Sequence, residues 1–468
     1  MPLNAKLTFY GAAGQVTGSC YLLDWNNQKV LLDCGMVQGG DQVTDLSKFR
    51  FAFRPKDIDA VILSHAHIDH SGLLTLLVAH GFRGKIFCTQ GTASLLPVLL
   101  KDACYLYLKD LEWQNRQRAR LGKAEHAPVM SLKDVEQVMN SLSPLPYQAH
   151  RDVLPGLELQ FLDAGHILGS AIVELWIKGA QGMRHLVFSG DLGNPATVLM
   201  HDPSQVASAD VVLMESTYGD RDHQPLSNTL EEFAAALDAA DRAGGNVFIP
   251  AFALGRSQEI LYYLGILYHQ GRLKQKMVVL DSPMAIEITK IYNQLIDEFD
   301  QQDTKIFARY GARDLQSFLP VLHLSEKVEQ SMALNRISKG AIIIAGSGMC
   351  NGGRITHHLK HNLWKNANHI IFVGFQAKGT LGRRLVDGET RVKVLGQPIV
   401  VKATIHTIGG FSAHAGQSQL IAWAQAIGGQ PQFYLVHGEP QAQLVLQDKL
   451  QQLGMQVTIA APKQSVQL

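Results

Sequence analysis

Short apolar runs that end in a chemically active polar side chain recur along this chain. The clearest run, Ala-Val-Ile-Leu at 60–63, leads into His-Ala-His-Ile-Asp-His at 65–70 and then into a mainly apolar stretch at 71–77. That succession is typical of a buried strand, a polar loop and a helix. It predicts that three imidazoles and one carboxylate lie at the carboxyl end of one strand.

Four further runs have the same form, each with one His, Asp or Glu at or near its end. They are 30–35 with Asp33, 157–162 with His166, 185–191 with Asp191, and 211–218 with Glu215. One polar residue at a strand end is commonly a turn residue. Four from separate strands indicate that the strand ends converge on a single site.

The middle of the chain has a different pattern. Residues 92–150 predict helices that cover a sheet, and residues 226–400 alternate between helical and strand-like segments. Such alternation predicts a doubly wound α/β unit with parallel strands. Turn-rich and strand-like sequence at 390–411 then leads to two more histidines, His414 in Phe-Ser-Ala-His and His437 in Val-His-Gly-Glu.

Composition narrows the protein class. The 468 residues are 46% hydrophobic and 18% charged, which predicts a globular chain of two or three domains. Five scattered cysteines without a Cys-x-x-Cys pair indicate reduced thiols. With no signal peptide and no apolar run of about 18 residues, we expect a cytoplasmic protein without membrane spans.

The net charge of the chain is only +1, but residues 309–393 hold 13 Lys or Arg against 5 Asp or Glu. This local excess of positive charge fits either a phosphate-facing surface or an ordinary solvated face.

The loop at 65–70 has the ligand types of a metal site. Neutral imidazole and carboxylate are ligands that Zn²⁺ accepts. From their spacing, His65 and His67 can reach one ion, and Asp69 and His70 can turn to a second ion beside it. Asp33 is expected to support catalysis by hydrogen-bonding a metal-binding histidine or water, although a carboxylate before a glycine is also a common turn residue.

Taken together, these residues resemble the metallo-β-lactamase superfamily, and more narrowly its β-CASP group of RNA-processing nucleases. The motif at 65–70 with Asp33, His166 and Asp191 carries the first resemblance, and Glu215, His414 and His437 carry the second. The group includes the endonuclease subunit of mRNA 3′-end processing, bacterial relatives and, at a greater distance, ribonuclease J. In that group a histidine at the position of His437 accompanies members that act on RNA.

The resemblance implies a four-layer αβ/βα metallo-β-lactamase sandwich with an inserted, doubly wound α/β β-CASP domain. The expected divisions are 1–212 and 406–468 for the sandwich and 213–405 for the insertion. The active site would lie in the cleft between them. Its residues would be complete only after the chain returns from the insertion.

The resemblance also implies two Zn²⁺ ions with defined ligands. These are His65, His67 and His166 for the first ion, Asp69, His70 and His437 for the second, and Asp191 as a catalytic bridge. A hydroxide that also bridges the ions would attack phosphorus and leave a 3′-hydroxyl and a 5′-phosphate. His414 would be the general acid, with Glu215 holding its tautomer and raising its pKa.

A glycine-rich stretch at 346–354 is a candidate for phosphate binding. It follows an apolar strand, and its backbone N–H groups, together with Ser347, Gly348 and Arg354, would contact phosphate oxygens. The alternative is an ordinary strand-to-helix turn.

Three basic residues are weaker candidates for RNA contacts. Arg256 at a helix start would clamp a phosphate bidentately, unless it simply opens the helix. Lys378 and Arg383 would line the RNA groove.

The leading hypothesis is a zinc-dependent RNA phosphodiesterase that acts chiefly as an endonuclease on single-stranded RNA. Alternatives are a 5′-to-3′ exoribonuclease, a hydrolase of a small ester or thioester, and a non-catalytic RNA-binding scaffold. The insertion and the pair of Glu215 and His414 argue against a small substrate, and the complete ligand set argues against a scaffold. Because the chain stops soon after His437, no C-terminal extension of the ribonuclease J type is expected. Dimers are common in the group, so a homodimer is expected.

Overall fold

The computed structural model describes residues 5–38, 46–179, 182–195 and 197–468. Strands of these residues form two sheets of mixed direction, one fully parallel sheet and one hairpin. The strands are β1 (Ala5–Phe9), β2 (Tyr21–Trp25), β3 (Gln28–Leu32), β4 (Ala60–Ile62), β5 (Lys85–Thr89), β6 (Leu142–Leu145), β7 (Arg151–Leu154), β8 (Leu157–Asp163), β9 (Ala171–Gly179), β10 (Gly182–Phe188), β11 (Val211–Glu215), β12 (Val247–Pro250), β13 (Met277–Leu280), β14 (Leu322–Leu324), β15 (Ala341–Ala345), β16 (His369–Phe372), β17 (Arg391–Val394), β18 (Gln397–Val400), β19 (Thr404–Thr407), β20 (Gln432–Val436), β21 (Gln456–Ile459) and β22 (Ser465–Gln467).

Helices cover all three sheets. They are α1 (Ile68–Ser71), α2 (Leu74–Ala79), α3 (Gln90–Arg120), α4 (Leu132–Ser141), α5 (Leu226–Ala243), α6 (Arg256–His269), α7 (Pro283–Gln294), α8 (Gln301–Arg309), α9 (Leu315–Phe318), α10 (Val328–Leu334), α11 (Gly353–Asn362), α12 (Leu381–Val386), α13 (Gln417–Ala426) and α14 (Pro440–Gln452), with 3₁₀ turns at Pro55–Asp57 and Ile296–Glu298. No helix of the described chain combines the length and apolar character that crossing a bilayer requires.

The two mixed sheets pack face to face. The first has the order β22-β1-β2-β3-β4-β5-β6 and the second β21-β20-β11-β10-β9-β8-β7. Alternate side chains of each strand point to the shared interior, where the ring centroids of Tyr21 and Phe188 lie 5.4 Å apart, edge to face. The sandwich therefore buries one face of each sheet against the other.

The outer faces of the same sheets are covered by helices. On the first sheet, Leu22 and Leu31 pack in the core that contains α2, α3 and α4. On the second, Val187 and Val212 pack against α13 and α14 through residues such as Leu446. Helix, sheet, sheet and helix thus form four layers of the described residues, and the predicted fold class is confirmed.

The parallel sheet has the order β14-β13-β15-β12-β16-β19. Its strand β15 shows why the sequence has an uninterrupted Ile-Ile-Ile run. Ile342 and Ile344 enter the core with α5, α6 and α7, whereas Ile343 between them enters the core with α11 and α12 on the other face. Strands buried on both faces need apolar residues at every position, as doubly wound sheets require.

The structure corrects the helical prediction for 92–150 at its end. Helix α4 ends at Ser141, and β6 then pairs in parallel with β5 at the edge of the first sheet. The pairing partner is far away in sequence, so local pattern alone did not show this strand.

The chain crosses from the second sheet to the parallel sheet between β11 and β12, and it returns between β19 and β20. The division into 1–212, 213–405 and 406–468 stays a prediction about domain boundaries.

Candidate metal centre

Neighbouring parallel strands bring the polar strand ends together. In the second sheet β10, β11 and β20 are adjacent and parallel, and their carboxyl ends carry Asp191, Glu215 and His437. In the first sheet the adjacent parallel strands β3 and β4 carry Asp33 and His65. Carboxyl ends of neighbouring parallel strands share one edge of a sheet, which explains the predicted convergence.

A first cluster contains His65, His67, His166 and Asp191, whose ligand atoms all lie within 4.8 Å of one another. His67 Nδ1 lies 3.0 Å from His65 Nε2 and 3.3 Å from His166 Nε2. Asp191 Oδ2 lies 3.5 Å from His65 Nε2 and 3.6 Å from His166 Nε2. Three imidazoles and a carboxylate thus face one small volume.

A second cluster, Asp69, His70 and His437, adjoins the first. The Nε2 atoms of His70 and His437 are 3.2 Å apart, and Asp69 Oδ2 lies 3.5 Å from His437 Nε2. Asp191 Oδ1 lies 3.3 Å from His70 Nε2, so this carboxylate faces both clusters, with one oxygen toward each.

Burial keeps the first cluster's imidazoles neutral. It lowers the pKa of His65 and of His166 well below the ordinary value and lowers that of His67 to about 4. A neutral imidazole has a lone pair available for a metal.

The carboxylates stay ionised despite burial. For Asp191, burial favours the neutral acid, but the imidazoles of His437 and His70 outweigh it and hold the pKa well below the ordinary value. The pKa of Asp69 is lowered to about 2, because the hydrogen bond from His437 outweighs burial. Asp191 Oδ1 nevertheless has no hydrogen-bond partner among the described residues, although it is buried.

Asp33 orients His70 from behind. His70 Nδ1 lies 2.6 Å from Asp33 Oδ2, and the carboxylate also accepts hydrogen bonds from the Ser64 backbone N–H (2.7 Å), from Ser64 Oγ (2.9 Å) and from Ser19 Oγ (3.2 Å). The contact leaves His70 Nε2 facing the second cluster, where it lies 3.2 Å from His437 Nε2.

Other orienting groups were not predicted from the sequence. Thr217 Oγ1 lies 3.1 Å from His437 Nδ1, and the carbonyl oxygen of Ala413 lies 3.3 Å from His166 Nδ1. Ser64 directly precedes the motif at 65–70, and that adjacency is the one signal that pointed to it. Thr217 and Ala413 act through folding contacts across 220 and 247 positions, respectively, which no local pattern shows.

His414 and Glu215 form a pair at the edge of the clusters. Glu215 is fully buried, and its Oε1 lies 3.2 Å from His414 Nδ1 and accepts from the Leu192 N–H at 2.6 Å. Burial opposes charge on His414, but Glu215 outweighs it and raises the pKa to about 9. The imidazole is 21% exposed and its ring centroid is 4.5 Å from that of His166, so it lies beside the first cluster.

The glycine-rich stretch lies at the carboxyl edge of the parallel sheet, directly after β15. Ser347 Oγ accepts from the Asn351 N–H at 3.2 Å, and the carbonyl of Gly348 accepts from Gln376 Nε2 at 3.1 Å. The Arg354 guanidinium donates within the protein, to Asp281 at 2.7 Å and to the carbonyls of residues 325 and 326. The structure therefore shows Arg354 holding the stretch in place.

The other basic candidates differ in their surroundings. Arg256 pairs with Glu259 at 2.5 Å in a mostly buried position, and Arg383 pairs with Asp387 at 2.9 Å on the surface. Lys378 is exposed in the loop after β16. Of the three, only Lys378 extends into solvent without a carboxylate partner among the described residues.

Three family models match the chain. They are described as the metallo-beta-lactamase superfamily over residues 13–86, the Beta-Casp domain over residues 257–385, and the Zn-dependent metallo-hydrolase RNA specificity domain over residues 398–462. The last of these segments contains both His414 and His437.

Several known proteins are similar over most of the chain. Ribonuclease TTHA0252 of Thermus thermophilus is 40% identical over 457 residues, which cover 97% of this chain and 98% of that protein. Transcription termination factor FttA of Methanocaldococcus jannaschii is 30% identical, with 96% of this chain and 69% of that protein covered. An RNase J-like protein from the same organism is 29% identical, with 92% of each covered.

A solved structure supports the fold alone. The crystal structure of a protein of unknown function from Enterococcus faecalis V583 matches with a TM-score of 0.56 and 11% identity, covering 99% of this chain and all of that chain.

Proposed function

The chain belongs to the β-CASP ribonucleases of the metallo-β-lactamase superfamily, and we propose that it is a two-zinc endonuclease for single-stranded RNA. That it is a metal-dependent ribonuclease follows from the family. The observation that carries the finer proposal is Asp191, which faces two neighbouring ligand clusters with one oxygen toward each.

The residues present fit zinc. In a tetrahedral site with Zn–N distances of about 2.0–2.1 Å, ligand atoms lie roughly 3.3 Å apart. The nitrogen separations of 3.0, 3.3 and 3.2 Å in the two clusters are close to that value. The unpartnered, buried Asp191 Oδ1 is a further acceptor that a cation would satisfy.

We assign one ion to each cluster. The ligands are His65, His67 and His166 for the first, Asp69, His70 and His437 for the second, and Asp191 for both. When bound, two Zn²⁺ ions would lower the pKa of water to near 7 and stabilise negative charge on the phosphoryl group. Asp33 and Thr217 keep the imidazoles of His70 and His437 turned to this position.

His414 is placed to protonate the leaving oxygen. With its pKa raised to about 9, the imidazole carries a proton at neutral pH, and Glu215 accepts at Nδ1 and leaves Nε2 free. Transfer of that proton to the departing 3′-oxygen gives a 3′-hydroxyl, and the other fragment keeps a 5′-phosphate. In this proposal Asp191 and the histidines of the two clusters hold the ions that act on the phosphate, and His414 protonates the leaving oxygen.

Cellular context is part of the same proposal. The five cysteines are free and buried, which is consistent with a reducing cytoplasm. We also propose a homodimer, which sedimentation at micromolar concentration tests directly.

A circular single-stranded RNA separates the two modes of cleavage, because it has no end for an exonuclease. We expect zinc-loaded protein to linearise it, and to cut linear RNA bearing a 5′-hydroxyl or a 5′-monophosphate at similar rates. If the circles stay intact and mononucleotides are released from the 5′-monophosphate RNA, the protein is a 5′-to-3′ exonuclease and the endonuclease proposal is wrong. Asp191→Asn is the matched inactive control.

A further inference from the structure

Two phenylalanine rings are exposed at the carboxyl edge of the parallel sheet. Phe252 follows β12 and is 45% exposed, and Phe375 follows β16 and is 56% exposed. Strands β12 and β16 are adjacent and parallel, so both rings lie at the same edge. Open parallel sheets bind their ligands at this edge.

The ring of Phe252 is supported by the glycine-rich stretch. A Cβ atom built on Gly348 would lie 2.8 Å from the ring's Cδ2 atom, so the ring rests on a residue that has no side chain. Ser257 fixes the backbone below it by donating to the Phe252 carbonyl from its N–H (3.2 Å) and its Oγ (2.7 Å). The ring is therefore exposed on a fixed backbone.

Gln376 joins the loop of Phe375 to the glycine-rich stretch that supports Phe252. Its buried side-chain Nε2 donates to the carbonyls of Gly348, Gly374 and Phe375, each at 3.1 Å. One amide group thus holds the loop that carries Phe375 to the stretch that supports Phe252. Pre-ordered aromatic groups lose little entropy when they bind a ligand.

The edge that carries these rings adjoins the metal centre. A Cβ atom on Gly255, three residues after Phe252, would lie 3.1 Å from Cγ2 of Ile167, the neighbour of His166. A second contact, from the Leu168 N–H to the Tyr292 hydroxyl at 3.3 Å, joins the same two parts of the chain. A substrate held at the metal centre can therefore extend over this edge.

Space and charge around the rings suit a polynucleotide. Apart from the adjoining residues of the chain, no atom of the described residues lies within 4 Å of a Cβ built on Gly352, Gly374 or Gly379, so the backbone there is open. Lys378 is exposed in the same loop as Phe375. The edge offers flat apolar rings, uncovered backbone and a cation together.

We propose that Phe252 and Phe375 stack on bases of the single-stranded RNA and hold it on the parallel-sheet side of the cleft. This inference rests on the proposed function, because it names how the same substrate is bound. Every base has a flat face, so stacking gives affinity with little sequence preference.

The first test measures kcat and KM on a short single-stranded RNA for Phe252→Ala, Phe375→Ala and the two Phe→Trp variants. Each alanine variant should raise KM about tenfold with kcat little changed, and each tryptophan variant should keep the wild-type KM. Trp364→Ala, at a ring that is 51% exposed just before β16, is the matched control and should change neither parameter. Thermal unfolding checks that Phe252→Ala keeps its fold, and Phe375→Ala tests the proposal independently.

The second test replaces single nucleotides of that RNA by abasic ones. An abasic position opposite a ring should weaken wild-type binding about tenfold and should not weaken the corresponding alanine variant further. Additive losses at every position, or an unchanged KM in both alanine variants, would overturn the stacking proposal and would fit a surface for a protein partner.

Hydrolysis of bis(p-nitrophenyl) phosphate, a diester without bases, separates the two proposals. Wild-type and alanine variants should hydrolyse it equally. If the alanine variants lose this activity too, the rings shape the metal centre and do not stack on RNA. If wild-type protein cleaves neither this diester nor RNA, the proposed function itself fails.

Discussion

Two buried carboxylates at strand ends, Asp191 and Asp281, are alike in position and opposite in surroundings. Asp191 follows β10 and Asp281 follows β13, and both are almost completely inaccessible. Asp281 accepts from Arg354 at 2.7 Å and from Ser331 and His358 at 2.6 Å each. Asp191 has imidazole nitrogens at 3.3–3.6 Å and one oxygen without a partner among the described residues.

The difference separates a structural cluster from the proposed metal centre. Around Asp281 one cation and further donors balance one anion, so both oxygens of this carboxylate have partners within the chain. Around Asp191 the imidazoles of the first cluster are neutral acceptors, and a second carboxylate, Asp69, lies in the adjoining cluster. A buried surplus of acceptors is costly unless a cation is bound. Balance of donors and acceptors, more than burial alone, therefore distinguishes the proposed metal centre from the Asp281 cluster.

Substituting the two carboxylates should have its largest effect on catalysis. Asp191→Asn should abolish RNA cleavage, since it removes the one carboxylate that faces both clusters. Asp281→Asn, tested at a temperature where it is folded, should keep near wild-type kcat. Single-turnover cleavage of labelled RNA measures both, and comparable losses in the two variants would show that the two carboxylates have the same role.

The next effect concerns the histidine that pairs with a buried carboxylate in each region. His414→Ala should slow cleavage by roughly 10²–10⁴-fold with metal content unchanged, as expected for the loss of a general acid. His358→Ala, which removes one side-chain partner of Asp281, should leave kcat of the folded protein unchanged. Loss of zinc from His414→Ala would make His414 a ligand instead.

The same two substitutions should rank in the opposite order for protein stability: Asp281→Asn should cost more than Asp191→Asn. Asp281→Asn removes the charge that Arg354 and His358 face in a buried site, which should cost roughly 3–5 kcal/mol of unfolding free energy. Asp191→Asn in metal-free protein removes one of two carboxylates that face the His70 imidazole, and Asp33 still pairs with that imidazole, so we expect a smaller loss of stability than for Asp281→Asn. Denaturant unfolding of both chelator-treated variants measures the contrast, and equal destabilisation would contradict it.

A smaller effect is the pH dependence of stability from Asp281. Burial alone would raise its pKa, but hydrogen bonds led by that from His358 outweigh burial and lower it from 3.8 to about 2. Because the folded pKa lies below the unfolded one, this stabilisation is complete above about pH 4 and is lost as pH falls toward 2. It amounts to about 2 kcal/mol. The stability difference between wild type and Asp281→Asn should therefore shrink over that range, whereas a constant difference would exclude this origin.

Much of the fold could be predicted because strand ends and active residues coincide in the sequence. The apolar run at 60–63 placed His65, and the alternation at 226–400 predicted the doubly wound parallel sheet that the structure contains. The structure also brings the predicted ligands into two adjacent clusters. Their roles as ligands stay a prediction until metal is measured.

What the sequence did not show depends on contacts between distant residues. Arg354 looked like a phosphate ligand beside glycines, but its partner Asp281 lies 73 positions away. The exposure of Phe252 was equally hidden, since an apolar residue after a strand is commonly buried and only the folded edge shows its ring in solvent. Strand β6 was missed for the same reason, because β5 supplies its hydrogen bonds.

Zinc content is the most direct test of the central claim that surplus acceptors around Asp191 mark a metal centre. Mass spectrometric metal analysis of purified wild type, Asp281→Asn and Asp191→Asn should find two zinc ions per chain in the first two and at most one in the third. Folded wild-type protein that takes up less than one ion per chain from zinc-containing buffer, or an Asp191→Asn variant that keeps both, would contradict the account.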